Sequence, residues 1–372
     1  MKVQRIRVPG RTRLSWLVLD EQYLIVEPIR AFLAFRERIG LAPTTVRGDA
    51  HHLKLFWEYL SRRGTDWREM DIARLAAFIP WLRSAGMQVP AAEAQRTDAT
   101  IDQILSTVHE FYGFHGRLGS GPDLPLYRFV ANHRSRYKPF LYGIAKSTPA
   151  RRRLITVRRE KRLPKTVTRE HVQQLLAACH HLRDRLLVGL LYDTGIRIGQ
   201  ALGLRHGDIS VERGELRIEP RDDNVNGARA KRREPLTVYP SAWVLDLYVR
   251  YIVEELDGLL VEQLPDYVFV NLWQAPVGRP MTYPAIAELF DRLSQRLANA
   301  TGTAIHVMPH MLRHTRATEW IRDDQLPLPT VSRLLGHQSV VTTHDTYVHL
   351  TVDDLHAELD AVRRRRERTN EP

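Results

Sequence analysis

Near its C-terminal end the chain reads TVSRLLGHQSVVTTHDTYVHL (Thr330–Leu350), with Gly336-His337 placed ten residues ahead of Tyr347. A tyrosine that is only a packed ring should have core-like neighbours, yet these are threonines, histidines and an aspartate. Three other short stretches carry matching groups. In TGIRIGQALGLRHGDI, Arg197 follows a glycine turn at a helix start, where a long cation can point out of the fold; alone it reads as a surface arginine. In HMLRHT, His310 and Arg313 stand at i and i+3 behind Pro309, a favoured first helical residue, so both project from the same side of a first turn. In LLGH, Gly336 ends a helix and presents His337 just beyond it.

Together these groups describe one chemistry. Two guanidinium groups, fork-shaped and always charged, can hold the non-bridging oxygens of a phosphodiester. Two imidazoles can hold or move protons beside them. Tyrosine then becomes a candidate nucleophile: its phenol is weak near neutral pH, but flanking positive charge lowers the cost of the phenolate and an adjacent imidazole can take the proton. On this reading His337 and Tyr347 have polar neighbours because they work on a phosphate.

The elements that must position these groups follow from spacing. At 372 residues the chain exceeds the usual size of one domain, so two are expected. From about Val26 to Tyr112, apolar residues recur at three and four, in stretches that include TTVRGDAHHLKLFWEYLSRRG and DATIDQILSTVHEFYGFHG. This predicts a bundle of three or four amphipathic helices, the second running from an N-cap threonine to Gly64. RRRLITVRREKR (Arg151–Arg162) then sets seven basic residues against one acid and reads as a linker that lets two halves close around a duplex. A second domain opens at LPKTVTREHVQQLLAACHH with Thr168 as N-cap, and RDRLLVGLLYDTG ends a helix at Gly195. ISVERGELRIEP alternates across a turn at Gly214, EPLTVYP adds a strand, and helices resume through MPHMLRHTRATEWIRDD. The expected architecture is mainly α with two domains: an N-terminal helical bundle and a C-terminal mixed α/β domain holding a small three-stranded antiparallel sheet. The expected boundaries are 1–25 for an N-terminal extension, 26–145 for the bundle, 146–162 for the basic linker, 163–350 for the second domain and 351–372 for a C-terminal helix and basic tail.

Lys and Arg number 55 against 43 Asp and Glu, a net charge of +12 that suits a protein seated on a polyanion, nucleic acid first among them. The plain alternative is a basic protein that is merely soluble. The single cysteine, Cys179, rules out a disulfide framework and a cysteine-rich metal site. The basic start has too short an apolar run for a signal peptide, and nothing approaches the roughly 20 apolar residues of a membrane span. A cytoplasmic protein is expected.

The three boxes, in this order between Leu163 and Leu350, resemble those of the tyrosine recombinases, the family of phage integrases and Xer-type recombinases. The N-terminal bundle is similar to that family's core-binding domain in size and helical pattern. The resemblance implies a site-specific DNA recombinase or integrase that cuts and rejoins double-stranded DNA through a covalent 3′-phosphotyrosine. It implies a homotetramer on two duplexes, associated with the bacterial nucleoid and needing no metal, nucleotide cofactor or ATP. It assigns Arg197 and Arg313 to the phosphate, His310 and His337 beside them, and Tyr347 as nucleophile. It also implies a lysine, on the turn between the second and third strands, that protonates the 5′-oxygen leaving group. That turn is RDDNVNGARAKRREPLTV; Lys231 is its only lysine, with Ala228 or Arg229 at the alternative slot. Where many members carry Glu in the first box this chain has Gln200, which should weaken a carboxylate hydrogen bond without removing a catalytic group. DDNVNGARAK is similar to the transposon-borne branch, which implies service to a mobile genetic element, and TVDDLHAELDAVRRRR (Thr351–Arg366) reads as a helix that docks on a neighbour.

A non-catalytic DNA-binding or assembly protein of the same fold is the competing class. It needs none of Arg197, His310, Arg313, His337 and Tyr347, so the presence of all five favours the enzyme. Topoisomerase-like relaxation shares the chemistry and would be a side reaction.

Overall fold

The computed structural model describes residues 1–7, 14–84, 96–130, 150–158, 163–230, 234–258, 266–273, 275–302, 304–337 and 339–353. The chain divides into two units, Met1–Lys161 and Arg162–Pro372.

Unit 1 begins with a β-hairpin within the stretch expected as an N-terminal extension. β1 (Lys2–Arg7) pairs antiparallel with β2 (Leu14–Leu19), Lys2 opposite Leu19. Val18 is buried and Trp16 and Val3 pack beside it on the helical core. That core is built by α1 (Glu27–Arg38), α2 (Pro43–Arg63), the short α3 (Ile72–Ala76) and α4 (Phe78–Arg83), and α5 (Asp98–Arg117). Their apolar faces bring Ile29, Phe32, Leu53, Phe56, Phe78, Leu105 and Phe111 together. α2 starts at Pro43 with Ala42 as N-cap, two residues ahead of the threonine cap expected at Thr44. Proline's fixed φ and missing N–H suit a first turn, so it sets the start in place of a side-chain cap. Gly64 closes the helix at φ +60° as predicted. Asp49, buried in the bundle, is matched by Arg36 at 3.0 Å and the Thr107 hydroxyl at 3.0 Å.

The first residues of the basic stretch belong to this unit. β3 (Tyr127–Val130) pairs with β4 (Ala150–Arg153), Arg153 grips both carboxylate oxygens of Asp102 at 3.0 and 2.9 Å, and Ile155 and Val157 are buried in the same core. Arg128 and Arg152 face each other across the ribbon, both exposed, a like-charge pairing that costs stability in the free chain.

In unit 2, α6 (Arg169–Ala178) is capped by Thr168, whose hydroxyl accepts the His171 N–H at 3.3 Å. α7 (Leu182–Thr194) is buried on nearly every side, which suits a central helix. Its buried polar ends are satisfied: Arg183 pairs with Asp184 at 2.6 Å, and Asp193 accepts from the Ser241 N–H and hydroxyl at 2.7 and 2.6 Å. After α8 (Ile198–Ala201) comes the predicted antiparallel sheet, β5 (Ile209–Ser210), β6 (Glu215–Ile218) and β7 (Leu236–Val238) in that order. Leu216 stands opposite Ile209 and Val238, and Gly214 makes the turn at φ +65°. α9 (Ala242–Arg250) runs into a π-helical turn, and α10 (Tyr283–Thr301) buries Ile286, Leu289, Phe290, Leu293 and Leu297 along one face. α11 (Pro309–Arg322), α12 (Leu328–Leu334) and α13 (Val340–Asp353) follow. They enclose a second, smaller core of Ala317, Trp320, Val331, Leu335 and Tyr347. The chain is therefore mainly α with one small three-stranded antiparallel sheet, as the sequence predicts. Among the described residues no helix is long and apolar enough to cross a membrane.

Candidate active site

Three chain reversals bring the predicted groups together. Gly195, at φ +61°, ends α7 in the left-handed region, which turns the chain back so that Arg197 becomes the N-cap of α8. The Arg197 backbone N–H donates to Gln200 Oε1 at 2.7 Å, while Gln200 Nε2 is buried with no hydrogen-bond partner among the described residues. Pro309 occupies the first turn of α11, leaving His310 exposed and turning Arg313 inward at 3% exposure. Gly336, at φ +61°, closes the turn after α12 and presents His337.

Arg313 holds these reversals in place. Its Nη1 donates to the Gly195 carbonyl at 2.6 Å, and its Nη2 donates to the Leu335 carbonyl at 2.7 Å and lies 3.0 Å from His337 Nε2. Because a guanidinium only donates, His337 Nε2 accepts, and Nδ1 carries the hydrogen toward Thr343 Oγ1 at 2.7 Å. Burial, then Arg313 and Arg197, push His337 down to about 4, so the ring is neutral at neutral pH. Burial, and after it Arg197, lowers Arg313 to about 9, while Tyr347 acts in the opposite direction. Among the described residues Arg313 pairs with no carboxylate.

Tyr347 departs from the sequence reading. Its neighbours in sequence are polar, but the ring is 1% exposed and packs with Trp320, Val331 and Leu335. The reason is helical period: Thr343 and Tyr347, four apart on α13, form the buried face, while Val341, Thr342 and His344 point outward. Its hydroxyl lies 2.7 Å from His314 Nδ1. Burial raises Tyr347 to about 12, against the field of Arg313. His314 is the residue that reading for chemistry passed over. It lies within the HMLRHT box, and its spacing of four from His310 was the available signal; the two rings meet edge to face at 4.4 Å. Burial, then His310 and Arg313, lower His314 to about 4.

Lys231 lies outside the described residues. Of the alternative positions, Ala228 is buried in the main core and Arg229 is ion-paired with Asp222. A Cβ on Gly199 would meet the Arg229 carbonyl oxygen at 2.6 Å and Tyr283 Oη at 2.5 Å, so glycine there lets the connection between β6 and β7 close against α8. Among the described residues no group of three or more His, Cys, Asp or Glu is placed to hold a metal ion.

Two arginines, three histidines and a tyrosine hydroxyl gathered on a mainly helical domain define a tyrosine recombinase, and the chain belongs to the phage integrase family, whose model matches residues 165–353. That segment contains Arg197, Lys231, His310, Arg313, His337 and Tyr347. The chain is 33% identical over 371 residues to transposase A from transposon Tn554 of Staphylococcus aureus (strain Mu50 / ATCC 700699), covering 99% of each. It is 30% identical over 197 residues to the tyrosine recombinase XerC of Chlamydia caviae, covering 52% of this chain and 56% of that protein. In fold it is similar to the Tn1549 transposon integrase solved with transposon right end DNA, with a TM-score of 0.63 and 15% identity, over 90% of this chain and 99% of that one. It is also similar to the XerH site-specific recombinase bound to a difH substrate, with a TM-score of 0.56 and 19% identity, over 86% and 79%.

Proposed function

We propose that this chain is the strand-transfer enzyme of a transposon, cutting double-stranded DNA at a specific site and rejoining it through a 3′-phosphotyrosine at Tyr347. The observation that carries the proposal is Arg313: a buried guanidinium with no carboxylate among the described residues, beside Arg197 and Tyr347. A buried charge is costly unless paired, so such a group is explained by an anion that arrives from outside. Arg197 and Arg313 take the non-bridging oxygens, His310 and His337 steady the charge that grows on them, and Tyr347 attacks phosphorus. Lys231 delivers a proton to the departing 5′-oxygen. The phosphotyrosine conserves the ester bond energy, so religation needs no ATP. Full-length similarity to the Tn554 transposase supports the transposon setting.

The partner is duplex DNA, engaged by a homotetramer on two duplexes in the bacterial cytoplasm. The first unit, which takes in β4 and the buried Ile155 and Val157, is the core-binding domain, and residues from about 163 are the catalytic domain. The basic stretch Arg151–Arg162 completes a clamp, to which the exposed Arg128 adds a further cation.

The test is covalent capture. The purified chain is incubated with duplexes recovered from a random-sequence pool by binding to it, then run on a denaturing gel with and without EDTA. A protein–DNA adduct that withstands EDTA and disappears in Tyr347→Phe is expected, with DNA binding retained. Specific binding without an adduct would support the non-catalytic reading, and an adduct lost on chelation would overturn the metal-free mechanism.

A further inference from the structure

We infer that His314 takes the proton from the Tyr347 hydroxyl as that oxygen attacks phosphorus, an assignment that rests on Tyr347 being the nucleophile. His314 Nδ1 lies 2.7 Å from Tyr347 Oη, within hydrogen-bond reach without any rearrangement. His337 is differently employed: its Nε2 accepts from Arg313 and its Nδ1 donates to Thr343. His310 stands at the exposed start of α11, with its ring against His314 rather than between His314 and the phenol.

The direction of the bond follows from acidity. The phenol is a stronger acid than an imidazole N–H, and the bare imidazole nitrogen is the stronger acceptor. The neutral His314 therefore receives the hydroxyl at Nδ1 and keeps its own hydrogen on Nε2. Its charged form is opposed by burial, by His310 and by Arg313. A phosphodiester seated on Arg197 and Arg313 offsets their field with negative charge, and the imidazole becomes a better base when substrate is present. In the step itself the Tyr347 O–H bond breaks, its proton passes to His314 Nδ1, and the freed oxygen pair forms the P–O bond. The 5′-oxygen departs with the P–O electrons and takes a proton from the general acid. Religation reverses each transfer, so His314 returns to its neutral form.

The test is single-turnover adduct formation by the full chain, from pH 5 to 9, on the duplexes recovered from the random pool. Wild type, His314→Gln, His314→Ala and Tyr347→Phe are compared. The groups facing His314 are Tyr347 from α13, His310 and Arg313 on α11, and His337 after α12, so all stay unchanged in the His314 variants. Glutamine can accept the phenol's hydrogen bond but cannot hold its proton. His314→Gln should bind DNA as wild type does, yet form adduct about 10² to 10³-fold more slowly at pH 7. Its rate should climb about tenfold per pH unit above neutrality as hydroxide replaces the missing base, while wild type stays level. Added imidazole should restore part of the activity of His314→Ala. A His314→Gln rate close to wild type, or a loss equal at every pH and untouched by imidazole, overturns the assignment and leaves His314 a packing residue. No wild-type adduct, or one that survives Tyr347→Phe, overturns the nucleophile on which the assignment rests.

Discussion

Arg313→Lys keeps a positive charge and removes the fork, and the geometry says what that should cost. Arg313 reaches the Gly195 carbonyl through Nη1 and the Leu335 carbonyl through Nη2, two acceptors on different segments. A lysine ammonium occupies one position, so at least one of these buried carbonyls loses its donor, and the contact with His337 goes as well. An orphaned buried acceptor costs about 1–3 kcal/mol, and a bond from a charged donor sits at the upper end of that range. A loss of about 2–3 kcal/mol in a unit of roughly two hundred residues lowers the melting temperature by about 4–10 °C. Catalysis should suffer more than stability. The Gly195 and Leu335 bonds hold the turns that carry Arg197 and His337, and losing an aligned donor at a phosphate costs about 10² to 10³ in rate. Thermal unfolding by circular dichroism and single-turnover adduct formation measure the two effects. An Arg313→Lys protein that melts within about 1 °C of wild type would show that the guanidinium bridge does not hold the site together.

Other expectations follow from the same geometry. Lys231→Ala should slow cleavage of ordinary DNA about 10² to 10⁴-fold and recover on duplexes with sulfur at the 5′-bridging position, a leaving group that needs no proton; absence of recovery would move the general acid elsewhere. Arg197→Ala should not recover on the same substrate, because it acts on charge at phosphorus. Gly199→Ala would drive a methyl into the Arg229 carbonyl and the Tyr283 hydroxyl, so it should lower stability and slow adduct formation while DNA affinity holds; an unchanged rate would separate the β6–β7 connection from catalysis. His314 and His337 are held near 4 in the fold against an ordinary 6.5. The unfolded chain therefore binds protons that the native state refuses, and stability should fall as pH drops from 6.5 toward 4 and be indifferent to these groups above 6.5. Urea midpoints across that range should show a shallower fall in the His314→Gln, His337→Gln double variant, and an identical fall would refute the account. Finally, residues 1–161 and 162–372 made separately should each bind DNA more weakly and with a shallower salt slope than the whole chain; equal binding by the second half alone would contradict the clamp.

What was legible in the sequence was local. The Thr168 cap and the positive-φ glycines at 64, 195, 214 and 336 are decided by a residue's own conformational limits, so they could be read without the fold. That Arg197, Arg313, His337 and Tyr347 belong together could be anticipated from their matching chemistry and from the resemblance of the three boxes to a known family, not from local spacing, since Arg313 and Tyr347 lie inside α11 and α13. The hairpin of β1 and β2 could not, because two short strands are held by packing of Val18 and Trp16 on helices that begin later in the chain. The pairing of His337 with Thr343 depends on how α13 leaves the Gly336 turn. Tyr347 misled for a related reason: its polar neighbours occupy the other face of α13, and a window of sequence averages two faces that the helix separates.

Burial of Tyr347 has two opposite effects, and both bear on how such a site works. In the free chain it raises the hydroxyl to about 12, so almost no phenolate exists at neutral pH to attack an unintended partner. The same packing against Trp320, Val331 and Leu335 fixes the ring with its oxygen on His314 and in the field of Arg313. Arg313 is disfavoured as a cation by burial and by Arg197, and the two neighbouring histidines are kept neutral in part by the same guanidinium. On the proposed reading a bound phosphodiester offsets the charge part of these effects: it pairs with the arginines, favours them as cations and makes the imidazoles more basic. If Tyr347 is the nucleophile and His314 its base, the substrate's own charge makes that base stronger, which would couple activation of Tyr347 to the arrival of DNA without a separate switch.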